Sequence, residues 1–172
     1  ERAASQRPNA ELQRRQALDA LPGDSRLLIQ DDGQVKIVSP QLLGRLHLND
    51  PVPMGDEPSP ALISLPIQPP PRLLAVTLSG RVALVRWEFA GQQQGTLERF
   101  LPTALEGDEV VSLLPLPNPE DVAANETKSL GLLTSDGRFK RLPLKDIQEL
   151  SGRAATVLKL KEGVNLKAAL IC

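Results

Sequence analysis

The chain has 172 residues and a formal net charge of −1, with 41% hydrophobic and 24% charged side chains. This length and composition suit one folded domain with its own core and exclude low-complexity disorder. Aromatic residues make up only 2% and tyrosine is absent, so we expect a core of leucine, valine, isoleucine and alanine.

Targeting and redox signals are sparse. The single cysteine, Cys172, excludes an intramolecular disulfide and fits a reducing compartment. No apolar run approaches the roughly 20 residues that span a bilayer, and the first residues do not read as a signal peptide. We therefore expect a cytoplasmic location. The chain begins with Glu1 rather than methionine, which is typical of a piece of a longer protein.

Charge is distributed unevenly along the chain. Residues 1–49 carry a net +1, residues 50–127 a net −7 and residues 128–172 a net +5. Such asymmetry suggests one surface for a polyanion and another that repels it. The alternative is a solvated surface on which charges cluster by accident.

The first predicted element is a helix. Asn9 can cap a helix over Ala10–Leu21, because its side chain can accept from an unpaired N–H of the first turn, and Pro22 with Gly23 would end it. Residues 1–24 are therefore predicted to form a linker and helix that precede the main domain, residues 25–172.

Three β-hairpins are predicted next, each with two apolar strands around a short polar turn. The turn glycines are Gly33, Gly80 and Gly137, separated by 47 and 57 residues. Asp136 followed by Gly137 predicts a type I′ turn, in which both central residues have positive φ. The strand pairs are Leu27–Ile29 with Val35–Pro40, Leu73–Thr77 with Val82–Arg86, and Leu130–Thr134 with Arg138–Leu142.

Each hairpin is followed by further strands, so that hairpin and strands form a repeat. A period near 50 residues with about four strands is typical of propeller blades or a relative of them. The later strands are Ala61–Ile67 in the first repeat, Val110–Leu116 in the second, and Ala155–Lys161 with Leu166–Ile171 in the third. The predicted repeats cover residues 25–68, 72–117 and 128–172. The stiff proline linker Pro69–Pro71 separates the first two, and an acidic loop over residues 118–128 separates the last two. Residues 49–60 are predicted to form a proline-rich loop within the first repeat.

Candidate residues for catalysis or metal binding are few. The only histidine, His47, has no cysteine or histidine neighbours and is interpreted as an ordinary surface or loop residue. The acidic cluster at residues 106–109 is interpreted as a solvated turn rather than a metal site. Trp87 and Phe89 are expected on one face of a strand, where core or interface packing is favoured over a base-stacking platform. The sequence contains no nucleophile–base pair and no phosphate-binding loop motif.

The third repeat carries the candidate binding residues. On the predicted strands Arg138 and Lys140 point the same way, as do Lys159 and Lys161. Two such pairs on neighbouring strands would make a positive stripe that holds phosphates without reading base sequence. The alternative is that lysines protect exposed sheet edges. The full set of candidate DNA-binding residues is Arg138, Lys140, Arg141, Lys145, Arg153, Lys159, Lys161 and Lys167.

The third repeat also resembles a known family. The hairpin Leu132–Leu144, with Arg153 and Val157–Gly163 after it, resembles a repeat of the C-terminal domain of bacterial type IIA topoisomerase A subunits, those of DNA gyrase and topoisomerase IV. The resemblance implies an all-β fold, the β-pinwheel, whose hairpin-swapped, propeller-like blades bind DNA on a basic rim. About three blades and one N-terminal helix are expected here. Since five or six blades are usual, either the chain continues past its printed end or the blades form an open arc.

The same resemblance implies a role and partners. Type IIA topoisomerases cleave DNA with a tyrosine, and this chain has none. It would therefore be an accessory domain that binds or bends duplex DNA without sequence preference, beside the catalytic core of the same subunit and the ATPase B subunit. ATP and Mg²⁺ would act on those other domains, and no cofactor is expected here. The location would be the bacterial nucleoid.

One departure from the family limits this inference. Gyrase carries a glutamine–arginine–glycine–lysine box that supports DNA wrapping, whereas residues 91–95 here are glutamine-rich but lack arginine and lysine. Wrapping is therefore not expected, and the choice between gyrase and topoisomerase IV stays open. A second hypothesis is a protein-interaction module that has lost DNA binding and docks through Trp87, Phe89 and the acidic middle repeat.

Overall fold

The computed structural model describes residues 12–39, 61–91, 95–147 and 153–172. In this part of the chain the strands form antiparallel sheets, which confirms the all-β class. The described residues fall into two units, the first made of those up to Pro70 together with Arg86–Phe100, the second of Pro71–Val85 with Leu101–Cys172. None of the described helices is long and apolar enough to cross a membrane.

The strands are short and numerous. They are β1 (Arg26–Gln30), β2 (Gln34–Val38), β3 (Ala61–Pro66), β4 (Arg72–Thr77), β5 (Arg81–Leu84), β6 (Gly95–Thr96), β7 (Val110–Leu116), β8 (Ser129–Thr134), β9 (Phe139–Pro143), β10 (Ala155–Thr156) and β11 (Leu166–Ile171). The α-helices are α1, residues 12–19, and α2, Val122–Thr127. Short 3₁₀-helices cover Trp87–Gly91, Leu97–Phe100, Thr103–Leu105 and Leu144–Asp146.

Each sheet is built around one of the three predicted hairpins, which are confirmed. The first sheet has the order β3-β1-β2-β6 and lies in the first unit. The second unit holds a sheet of order β7-β4-β5-β10 and a third of order β11-β8-β9. The strands predicted after the hairpins are confirmed for β3, β7 and β11. The boundaries of the three sequence repeats stay a prediction.

All three hairpin turns have one geometry, which differs from the predicted type I′ turn. Gly33, Gly80 and Gly137 have φ near +85°, and no non-glycine residue among those described has a positive φ. Each glycine N–H donates to the carbonyl three residues earlier, as Gly137 does to Thr134 at 3.1 Å. A type I turn closed by one left-handed glycine explains this pattern. The prediction was wrong because Asp136 keeps a negative φ, and the hydroxyl of Thr134 accepts from the N–H of Arg138 at 3.0 Å.

The strand predicted over Ala155–Lys161 is also different in the structure. Only Ala155–Thr156 is extended and paired, and it pairs with β5 of the second sheet rather than with β8 or β9. In the first unit β6 pairs with β2 in the same way. Both sheets therefore take their outermost strand from a segment far downstream, a strand exchange that hydrophobic periodicity does not reveal.

The first unit packs aliphatic side chains under its helix. Leu27, Ile29 and Val35 on β1 and β2 are buried, as is Ala17 of α1. The Nε of Arg14 lies 2.7 Å from Oε1 of Glu88, whose side chain is 5% exposed. This ion pair ties α1 to the 3₁₀-helix Trp87–Gly91. The predicted helix is confirmed over residues 12–19, and it ends before Ala20 and Leu21, which the prediction included.

The second unit has an almost purely aliphatic core, as composition predicted. Strand β4 is buried on both faces from Leu73 to Thr77, which is typical of a strand whose apolar residues run without alternation. Side chains of both sheets meet in one cluster formed by Leu74, Val76, Val82, Leu130, Leu132, Leu144, Ile147, Leu166 and Ala169.

Helix α2 was missed, because residues 118–128 were predicted to be an acidic loop. Asp121 is its N-cap, and the carboxylate accepts from the N–H of Ala124 at 3.0 Å. An aspartate in that position was the available signal.

We expect the Gly80→Ala variant to be less stable than Gly137→Ala. Both substitutions place alanine at positive φ, which costs about 1–2 kcal/mol. A Cβ at Gly80 would also overlap the carbonyl oxygen of Leu158, whereas one at Gly137 meets nothing within 4 Å. Overlap with backbone should cost about 1–3 kcal/mol more.

Urea unfolding followed by circular dichroism measures the two free energies of unfolding. Equal losses of unfolding free energy in the two variants would show that Leu158 does not restrict the side chain at position 80.

Candidate nucleic-acid interface

An open groove runs between the β8–β9 turn and the segment that follows β10. Its volume is about 220 Å³, and its walls are formed by Thr134, Asp136 and Arg138–Lys140 on one side and by Leu158–Lys161 and Val164 on the other. The second wall is placed by strand exchange, because Val157 and Leu158 both donate to the carbonyl of Gly80, at 3.0 and 3.2 Å. Backbone pairing thus positions this groove.

Four of the eight predicted cationic residues meet at this groove. Arg138, Lys140, Lys159 and Lys161 all line it, and all four are exposed. Lys159 and Lys161 were expected to share a face of a strand, but they lie in an irregular segment and still reach the same groove. On its other side that segment borders a shallower depression of about 500 Å³, lined also by Ser79, Arg81 and Asn165. Lys159 and Lys161 border both.

One contact joins the two walls of the groove, and two others lie within its first wall. The Nζ of Lys140 donates to the carbonyl of Val157 at 3.1 Å, which joins the edge strand β9 to the opposite wall. Asp136 accepts a hydrogen bond from the hydroxyl of Thr134, and its carboxylate lies 3.5 Å from Nε of Arg138. The Thr134 hydrogen bond and then the Arg138 charge lower the pKa of Asp136, so this one acid of the groove is ionised at neutral pH.

The other four predicted residues do not line the groove. Arg141 lies on the opposite face of β9 from Lys140, because neighbouring residues of a strand alternate. Lys145 is on the 3₁₀-helix after β9, Arg153 precedes β10 and Lys167 lies at a register shift in β11. All four are exposed. Their role in binding stays a prediction.

Arg81 is a cation near the groove that the sequence did not single out. It lies at the edge of the shallower depression, and its Nη2 is 3.1 Å from Oδ2 of Asp108. Asp108 also accepts from the hydroxyls of Thr77, at 2.8 Å, and Ser79. Its side chain is 7% exposed, so the interpretation of residues 106–109 as a solvated turn was wrong for Asp108. The available signal was the presence of several side-chain donors, Thr77, Ser79 and Arg81, in and beside the β4–β5 turn.

The aromatic pair does not form an exposed platform. Trp87 is 1% exposed and Phe89 is partly buried, and both lie on a 3₁₀-helix rather than on a strand. The favoured reading, core packing, therefore holds for Trp87, and burial excludes it from base stacking or from docking a partner. The prediction for His47 lies outside the described residues.

Within the residues described, no three carboxylate, imidazole or thiol groups converge where a metal ion could bind. The arrangement at the groove offers positive charge and hydrogen-bond donors beside a sheet edge. Its chemistry is therefore suited to holding anionic oxygens.

The comparisons with known proteins concern the fold. No protein-family model and no curated protein matches this chain. Solved structures that do match include the C-terminal domain of DNA topoisomerase IV, with a TM-score of 0.60 and 17% identity over 88% of this chain and 46% of that one. They also include the C-terminal domain of DNA gyrase A, with a TM-score of 0.52 and 16% identity over 86% of this chain and 47% of that one.

This chain has the fold of these C-terminal domains. The resemblance seen in the sequence is thereby confirmed at the level of fold, and with it the expected β-pinwheel class. The chain spans about half the length of each matched domain.

We expect the Asp108→Asn variant to lose stability in a pH-dependent way. Burial raises the pKa of Asp108, but the hydrogen bonds from Ser79 and Thr77 and the Arg81 charge outweigh it and hold the pKa below its usual 3.8. The ionised carboxylate therefore stabilises the fold above pH 3.8, and this contribution is lost as the pH falls through the lowered value. At pH 7 the loss should be about 1.5–3 kcal/mol.

Urea unfolding at pH 7 and at pH 3 tests this, with Glu106→Gln, an exposed acid of the same turn, as the control. The difference between wild type and Asp108→Asn should shrink at pH 3, and the control should shift stability by less than about 0.5 kcal/mol. A deficit of the same size at both pH values would contradict the assignment.

Proposed function

We propose that this chain binds duplex DNA through its phosphate backbone, with the groove of Arg138, Lys140, Lys159 and Lys161 as the central contact. The observation that supports this most is the convergence of four exposed cations from two separate segments on one open groove. Long basic side chains that reach phosphates orient a protein on DNA without reading bases. The net +5 of residues 128–172 supplies the wider attractive field.

Binding of DNA at this groove should depend steeply on salt concentration. If all four cations meet phosphates, the slope of log affinity against log salt should be about −0.9 × 4, or roughly −3.6. Asp136 beside Arg138 offsets part of this charge. The acidic segment of residues 50–127, at net −7, would repel DNA and so favour one surface of the protein for binding.

The fold supports a role for this DNA binding within a larger enzyme. We infer that the chain is an accessory domain of an A subunit similar to those of gyrase and topoisomerase IV, where it would hold or bend the DNA segment on which the catalytic core acts. The catalytic core and the ATPase B subunit would be its partners, and ATP-dependent change of DNA topology would belong to the whole enzyme. The alternative of docking through Trp87 loses its main anchor, because that side chain is buried.

The decisive experiment compares two double variants of equal charge change. Lys159→Gln with Lys161→Gln removes two groove cations and leaves the Lys140–Val157 hydrogen bond intact. Lys145→Gln with Lys167→Gln removes two exposed cations outside the groove. We expect the groove variant to bind a 30-base-pair duplex at least about tenfold more weakly at 50 mM salt, with a salt slope smaller in magnitude by about 1.8.

Fluorescence anisotropy between 50 and 200 mM salt measures both quantities, and circular dichroism checks that each variant is folded. Equal losses in the two variants would show that binding is diffuse rather than centred on the groove. Absence of wild-type binding at 50 mM salt would remove DNA binding altogether.

A further inference from the structure

The β4–β5 turn and the β8–β9 turn share one plan, but only the second contains an acid. In each, a threonine lies three residues before the turn glycine and an arginine follows the glycine. The threonine hydroxyl accepts from the backbone N–H of that arginine, at 3.1 Å in the β4–β5 turn and 3.0 Å in the β8–β9 turn. The residue directly before the glycine is Ser79 in the first case and Asp136 in the second. The β4–β5 turn therefore lacks a carboxylate of its own.

Asp108, which lies 27 residues after Arg81, supplies the missing carboxylate. Its oxygens accept from the hydroxyls of Thr77, at 2.8 Å, and Ser79, and from Nε of Arg81 at 3.2 Å. The backbone N–H of Ser79 also donates to it, at 3.3 Å. Asp136 has the equivalent threonine and arginine as its partners in the other turn. The β4–β5 turn is thus held by a residue from outside it.

The third repeat has valine where the second repeat has Asp108. Asp108 follows Gly107 and Val164 follows Gly163, and both glycines have φ of +80°. Asp108 and Val164 each donate to the carbonyl three residues earlier, at 3.0 Å. In both repeats the carbonyl of the next residue accepts from an N–H of the neighbouring turn at 2.7 Å. Each turn therefore has one carboxylate, which comes from a different position of the repeat.

The turn held by Asp108 anchors both ends of the segment that carries two of the groove lysines. Its glycine carbonyl accepts from the N–H groups of Val157 and Leu158, at 3.0 and 3.2 Å. The carbonyl of Leu78 accepts from the N–H of Leu166 at 2.8 Å. Residues 157–165, between these anchors, belong to no helix or strand. The position of the segment therefore depends on the shape of the turn.

We propose that Asp108 is a positioning residue for DNA binding, because it holds the β4–β5 turn and the turn holds Lys159 and Lys161 at the groove. This role rests on the proposed function, and it gives an acid a favourable part in binding an anionic ligand. If net charge alone governed affinity, removing any carboxylate would strengthen DNA binding. Asp108 is 7% exposed and surrounded by donors, so its loss should act through the placement of the lysines instead. The two views predict opposite signs.

The test compares Asp108→Asn with Glu106→Gln, an exposed acid nearby that gives the same charge change. Fluorescence anisotropy is measured with the same duplex and salt range, and circular dichroism gives the folded fraction. Per folded molecule, Asp108→Asn should bind about threefold or more weakly, with a salt slope smaller in magnitude by about 0.9–1.8, the loss of one or two phosphate contacts. Glu106→Gln should bind as tightly as wild type or slightly more tightly. Tighter binding by Asp108→Asn would overturn the proposal.

A double-mutant cycle shows whether Asp108 acts through the lysines. In the background of Lys159→Gln with Lys161→Gln, Asp108→Asn should weaken binding no further, because residues that act through one network are not additive. An undiminished loss in that background would overturn the positioning role. If the lysine variant itself keeps wild-type affinity, the proposed groove fails. If it binds weakly while Asp108→Asn does not, the positioning role alone fails.

Moving the carboxylate should restore the placement. Ser79→Asp combined with Asp108→Asn keeps the net charge and puts an acid where Asp136 stands in the β8–β9 turn. The salt slope of this variant should return to within about 0.4 of the wild-type value.

Amide exchange without DNA measures the same placement independently of binding. The amides of Val157 and Leu158 should exchange at least about tenfold faster in Asp108→Asn, because the local opening that exposes them becomes easier. Their protection should return in the variant with the relocated carboxylate. Unchanged exchange in Asp108→Asn would overturn the positioning role whether or not the chain binds DNA.

Discussion

Pairing of a two-residue strand with the end of an earlier hairpin is the interaction on which the rest of this structure depends. It closes the outer edges of two sheets, whose backbone groups would otherwise be unpaired. In the second sheet it also requires glycine at the turn, because at Gly80 the positive φ and the passage of Leu158 leave no room for a Cβ.

The candidate interface follows from this pairing. Once Ala155 and Thr156 are fixed on β5, the next residues must pass beside β9, where Lys140 donates to the carbonyl of Val157. Lys159 and Lys161 are thereby brought to Arg138 and Lys140, although they are distant in sequence and need no regular strand. The backbone pairing of Ala155–Thr156 with β5 thus places these long basic side chains together. Such a group of cations is suited to a ligand with regularly spaced negative charges, such as a nucleic-acid backbone.

Predictions succeeded where a local pattern carries the information. The three hairpins and the strands β3, β7 and β11 were recognised because apolar runs and turn glycines are local signals. They failed where a residue distant in sequence determines the environment of a side chain. Asp108 was taken for a solvated acid because its partner Arg81 lies 27 residues away, and Trp87 was placed on a strand because spacing alone does not distinguish a strand from a 3₁₀-helix. Half of the eight candidate cations reach the groove, since net charge gives no direction to a side chain.

By itself the sequence determined the all-β class, the repeated hairpins, the positive charge of the last repeat and the kinship of fold with topoisomerase C-terminal domains. Alternating apolar residues and glycine turns are enough for the class and the hairpins, because strand formation and turn geometry depend on near neighbours. Only the tertiary structure decided which sheet receives Ala155–Thr156 and which cations share a groove. Backbone groups of any strand can pair with any other, so the choice of partner depends on the packing of the whole chain.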